Sequence, residues 1–123
     1  MALQYSIEHR DGAIEVRVSG VPDRTSSRQM WKDIVAATED YGCLYILGLS
    51  NLDKPHKIAD AIDHQVVFLE AGVTIDHRIA WVQQNPEAVE STRLIETILL
   101  NRGMMNGRLF DDEFEARRWL AAQ

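Results

Sequence analysis

Leu44-Tyr45-Ile46-Leu47-Gly48-Leu49 is an unbroken apolar run of six residues. A run that short falls far below the roughly 20 residues of a membrane span. It reads instead as an interior strand, buried on both faces. A strand buried twice needs a layer on each side, and the flanking sequence offers helices. Upstream, Met30, Ile34, Ala37 and Tyr41 recur at helical spacing, and Trp31, Val35 and Thr38 widen the stripe. Thr25, Ser26 or Ser27 is expected to cap that helix, and Gly42 to end it in a left-handed conformation. Downstream, Asn51, Asp53 and Pro55 mark a loop from Ser50 to His56. A second helix is expected from Lys57 to Ala71, with Ile58, Ile62, Val66 and Leu69 turned inward and Gly72 as its stop.

The same pattern extends to both ends. Tyr5-Ser6-Ile7-Glu8 and Ala13 to Val18 alternate apolar and polar residues, and Asp11-Gly12 between them suits a tight turn. These segments form a β-hairpin. Arg78 to Val82 reads as a further strand. Asn85-Pro86 opens a third helix that runs to about Asn101, with Gly103 beyond it. Arg108-Leu109-Phe110 is a last short strand. Asp111 or Asp112 caps a closing helix in which Ala116, Trp119 and Leu120 face inward, and Asp112 with Glu115 has capping-box spacing. The order is β-β-α-β-α-β-α-β-α. It implies an α/β fold over residues 1–123 as a single domain, with a mixed, mostly parallel sheet of about five strands and four helices.

Charge and composition narrow the function classes. The 13 basic and 19 acidic residues leave a net charge of −6, and the basic residues are scattered. An acidic surface repels phosphate backbones, so no nucleic-acid partner is expected. No membrane span and no signal peptide are expected either. Cys43 is the single cysteine, which excludes an internal disulfide and makes a cytoplasmic location the default.

Four stretches resemble the STAS domain of anti-sigma-factor antagonists, in the branch called SpoIIAA-like or STAS/SEC14-like. They are Val18-Ser19-Gly20, Leu44 to Ser50, Arg78-Ile79-Ala80-Trp81-Val82, and Leu109-Phe110-Asp111-Asp112-Glu113 with Ala116 and Trp119-Leu120. The resemblance spans about the whole chain and implies a non-enzymatic domain that binds protein partners. Some members of that family are switched by a phosphoserine at the start of the second helix. Here Asp53-Lys54-Pro55-His56-Lys57 carries neither serine nor threonine, and Ser50 lies at the strand end.

The motifs of the common chemistries are missing. Neither G-x-G-x-x-G nor G-x-x-x-x-G-K-[ST] occurs, and Gly103 to Gly107 follows a helix instead of opening one. There is no G-x-S-x-G elbow, and no histidine follows His77. The carboxylates Asp111, Asp112, Glu113 and Glu115 read as caps and dipole partners. His56, Asp60, Asp63, His64 and Val67 share the helix face opposite the expected inward stripe. They lack the i, i+4 histidine pair of a helical zinc site and read as a solvated face. No cofactor and no metal are implied. The chain is not expected to be an enzyme.

The surplus of apolar residues in Val66-Val67-Phe68-Leu69 is the sharper signal, because a one-sided helix needs only a stripe. It makes the second helix and the preceding loop an expected interaction surface, comprising Asp53, His56, Asp63, Val67 and Phe68. A protein partner, with self-association to a homodimer, is the expected occupant. The alternative is a carrier or sensor of a lipid or other apolar small molecule, in a pocket lined by Trp81 and Phe68.

Overall fold

The hairpin forms where the alternation places it. In the computed structural model, which describes residues 2–122, β1 (Leu3–Arg10) pairs antiparallel with β2 (Ala13–Gly20). Asp11 and Gly12 take positive φ at the turn, as a two-residue hairpin requires. The chain continues through α1 (Arg24–Tyr41), β3 (Tyr45–Leu52), α2 (Ile58–Ala71) and β4 (Arg78–Gln83). A short 3-10 turn (Pro86–Ala88) leads into α3 (Val89–Asn101), β5 (Asn106–Phe110) and α4 (Glu113–Ala121). The sheet order is β1-β2-β3-β4-β5, and every pairing after the hairpin is parallel.

The interior strand lies at the centre of that sheet and is buried on both faces, as its unbroken run requires. Ile14, Val16, Val18, Ile46 and Ile79 point to one face, under α1, α2 and α3. Ala13, Leu47, Leu49, Ala80 and Val82 point to the other, under Ala116 and Leu120 of α4. Three helices therefore cover one side and one helix covers the other. α2 packs between α1 and α3 and stands off from the strands.

Two local expectations are corrected. The cap of α1 is Asp23, whose Oδ1 accepts from the Ser26 amide at 2.8 Å. A carboxylate one position before the helix reaches that amide, whereas Ser26 instead accepts from the Leu3 amide at 3.2 Å and ties β1 to α1. At α4, Asp112 caps the helix by accepting from Phe114, but Glu115 turns to Arg118 at 3.4 Å and closes no capping box. Asn85 accepts from Glu87 as a cap should, over a 3-10 turn that precedes the α-helix proper.

Fixed charge pins α4 to the sheet. Glu15 faces α4 with its side chain fully buried, and Arg117 Nη1 meets it at 2.9 Å while also holding Glu113. At the far end, Arg78 Nη2 donates to the carbonyls of Trp119 (2.6 Å) and Ala122 (2.9 Å), with its guanidinium 3.7 Å from the centre of the Trp119 ring.

Candidate functional site: the two faces of α2

α2 is rotated by about half a turn from the expected phase. Its buried residues are Ala61, His64, Val67 and Phe68. Ile58, Ile62, Val66 and Leu69, the expected inward stripe, are exposed, Ile58 to 71% and Leu69 to 74%. Val67 and Phe68, expected on an interaction surface, are 1% and 2% exposed and belong to the core. The cause lies on α1. Arg24 pairs with Asp63 at 3.2 Å and with Asp60 at 3.7 Å, and Arg28 reaches Glu70 at 2.9 Å. Those pairs hold the acidic edge of α2 against α1. Trp31 of α1 then receives Phe68, with ring centres 4.4 Å apart.

The five residues of the expected surface thus separate. Asp53 is exposed in the loop, its amide donating to the Gly20 carbonyl at 2.8 Å. Asp63 is engaged with α1. His56 is half-buried at the foot of α2, its amide donating to Ser91 Oγ of α3 at 3.0 Å. Val67 and Phe68 turn inward. Phe68 there lines a cavity between α2 and the sheet.

Apolar side chains dominate its walls. Trp31, Trp81 and Phe68 meet there with Met30, Ile79, Ile95 and Leu99. The centre of a water-sized sphere can move through about 60 Å³ of it. Its floor depends on one glycine. Gly48 of β3 pairs in register with Trp81 of β4, and a Cβ at Gly48 would stand 2.0 Å from the Trp81 ring. With no side chain in the way, the indole lies across the strand and stacks on Trp31 at 5.4 Å.

Two histidines supply polarity. His64 Nδ1 bonds the Asp60 carbonyl at 2.8 Å, which requires the proton on Nδ1 and leaves Nε2 as an acceptor. The His56 ring meets it edge-on at 5.3 Å, with its Nδ1 buried and unpartnered among the described residues. Burial lowers the pKa of His56 to about 3, and the neighbouring His64 adds to the effect. Burial also lowers the pKa of His64, against opposing contributions from the Asp60 carbonyl and the two aspartates. Both rings are therefore neutral at pH 7.

Beside the cavity a polar network closes the ends of β3 and β4. Gln83 Nε2 donates to Ser50 Oγ (3.0 Å) and Thr92 Oγ1 (3.3 Å), and Asn85 Nδ2 donates to the Leu52 carbonyl (2.7 Å). Ser50 is 1% exposed, so its hydroxyl is part of the scaffold.

Comparison with known proteins is consistent with this architecture. No protein-family model matches the chain, and no curated protein matches it. Among solved structures, the chain is similar to the crystal structure of an anti-sigma factor antagonist from Mycobacterium paratuberculosis. The TM-score is 0.60 and the identity 13%, over 97% of this chain and 94% of that one. At that identity the likeness is one of fold alone, and the fold is shared with an anti-sigma factor antagonist, the kind of protein that the four sequence stretches resemble.

Proposed function

We propose that this chain is a non-catalytic, regulatory interaction domain of the cytoplasm, and that its docking surface is the outer face of α2, occupied by a second copy of the chain. One observation carries the reading: α2 is apolar on two opposite faces, and only the inner one is covered. A helix of that kind is at rest when both faces are buried. The name of the structural neighbour, an anti-sigma factor antagonist, describes a protein that acts on another regulatory protein, which supports an interaction role.

The outer stripe is complementary to itself. In an antiparallel pairing about a twofold axis, Ile58 of one copy meets Leu69 of the other, and Ile62 meets Val66. Lys57 at one end of the helix then approaches Glu70 at the other, and the two helix dipoles run head to tail. Sedimentation over a concentration series tests this. The wild-type chain is expected to dimerise, and Leu69→Glu or Ile62→Glu to remain a folded monomer. A wild-type chain that stays monomeric throughout, or a Leu69→Glu variant that dimerises as well as wild type, overturns the reading.

The cavity under α2 supports a second reading, a carrier or sensor of an apolar small molecule. A native mass spectrum of the purified chain checks it independently, through any mass bound in excess of the polypeptide.

A further inference from the structure

We propose that the cavity beneath α2 binds a neutral single-ring molecule carrying one hydrogen-bond donor, with Nε2 of His64 as the acceptor that recognises the donor. The inference rests on the second reading above and narrows it to a ligand class.

Size excludes the long chains. One water needs about 10–15 Å³ of open space, and this cavity offers about 60 Å³. An acyl chain exceeds such a space, whereas a single ring, equivalent to a few waters, is commensurate with it.

Shape favours a flat ligand. The Gly48–Trp81 pairing lays an indole face across the floor, and Trp31 and Phe68 continue the aromatic wall. Ring on ring, in offset or edge-on contact, is how such walls are best filled.

Charge favours a neutral one. Glu96, the carboxylate in the lining, is committed to the Leu109 amide at 2.7 Å. Arg108 is exposed, with its guanidinium 5.3 Å from the centre of the Phe110 ring. Inside the cavity a charged ligand therefore finds no buried counter-charge, Arg108 being exposed to solvent, and it loses its hydration. His64, 4% exposed and fixed in one tautomer by the Asp60 carbonyl, offers a lone pair at Nε2. A hydroxyl or ring N–H satisfies it.

Phenol, benzene and benzoate serve as probes, read by the indole N–H resonances of the three tryptophans. Trp31 and Trp81 line the cavity, and Trp119 lies on the far side of the sheet and acts as the internal control. Phenol is expected to move the Trp31 and Trp81 signals and leave Trp119 in place. Its affinity should exceed that of benzene about three- to tenfold, the scale of one neutral hydrogen bond. Benzoate should move neither signal. His64→Leu should bring phenol down to the level of benzene, and His64→Gln, which keeps an acceptor, should retain part of the difference. Equal binding of phenol and benzene to the wild-type chain overturns the donor recognition and leaves the small-molecule reading standing. A co-purified long-chain lipid in the native spectrum overturns the ring class in the same way. Failure of all three probes to move Trp31 and Trp81, with no bound mass in the native spectrum, overturns both.

Discussion

Acid should loosen this fold well before its carboxylates protonate, and His56 sets the scale. Its pKa lies near 3 in the folded chain and near 6.5 in the unfolded chain. The unfolded state therefore binds the extra proton first. The sign follows directly: the contribution is intact above about pH 6.5 and is lost as pH falls toward 3. Between those limits His56 alone costs about 1.4 kcal/mol per pH unit, or about 2 kcal/mol between pH 6.5 and 5. His64, also lowered by burial, adds in the same direction. The surrounding charges do not cancel the effect, because Asp60 and Asp63 are turned to Arg24 on α1, and Glu96 of α3, which lines the same cavity, accepts from the Leu109 amide. Against a total of about 0.05–0.15 kcal/mol per residue, this is a large share. Urea titrations at pH 7.5, 6 and 5 measure it, with His56→Gln as the comparison. The wild-type chain should lose at least about 2 kcal/mol over that range, and His56→Gln should lose less by the His56 share. A wild-type loss below about 0.5 kcal/mol refutes the reasoning, since it means that His56 reaches water at little cost.

Further substitutions probe the same architecture. Phe68→Ala should cost about 3–5 kcal/mol in urea unfolding, and Leu69→Ala next to it under about 0.5, which reverses the order expected from helical periodicity. Gly48→Ala should displace the Trp81 indole, lowering stability and changing the near-ultraviolet circular dichroism, because no rotamer change at residue 48 removes a Cβ that stands 2.0 Å from the ring. Arg117→Met should cost up to about 3 kcal/mol by removing the guanidinium that hydrogen-bonds the buried Glu15 carboxylate, which keeps the longer Arg17 contact at 3.7 Å, and the double variant Glu15→Leu with Arg117→Met should recover most of the loss.

Most of the architecture was legible because its signals are local and agree with one another. The hairpin follows from two alternating segments around Asp11-Gly12, and the left-handed Gly42 (φ 60°) ends α1 where the sequence places it. The apolar run at Leu44 to Leu49 demanded a layer on each side, and α4 supplies the second. The side of the sheet that Trp81 takes was legible too, because strand alternation puts it with Ile79 on the face away from Ala80. The role of Gly48 was not. It depends on the register between β3 and β4, and register is a long-range property.

The phase of α2 was illegible for a different reason. Ile58, Ile62, Val66 and Leu69 make a complete stripe, and Ala61, His64, Val67 and Phe68 make another on the opposite side. A 3.6-residue period fits both, so periodicity alone cannot decide which faces the core. The aliphatic stripe is the stronger by hydrophobicity, and it is the one left outside. The rotation observed packs Phe68 on Trp31 and sets Asp60, Asp63 and Glu70 beside Arg24 and Arg28 of α1. Turning α2 to bury the outer stripe would strand those pairs, expose Phe68 and break its contact with Trp31. A sequence signal for this existed in the arginines at positions 24 and 28, spaced one helical turn apart, and the acids at 60 and 63. Pairing them requires knowing that α1 and α2 lie side by side, which the alternation of strands and helices already implied. The exposure of the outer stripe follows from α2 having two apolar faces and one sheet, with Phe68 packed on Trp31 and the ion pairs at the α1 edge both matching the inner face observed.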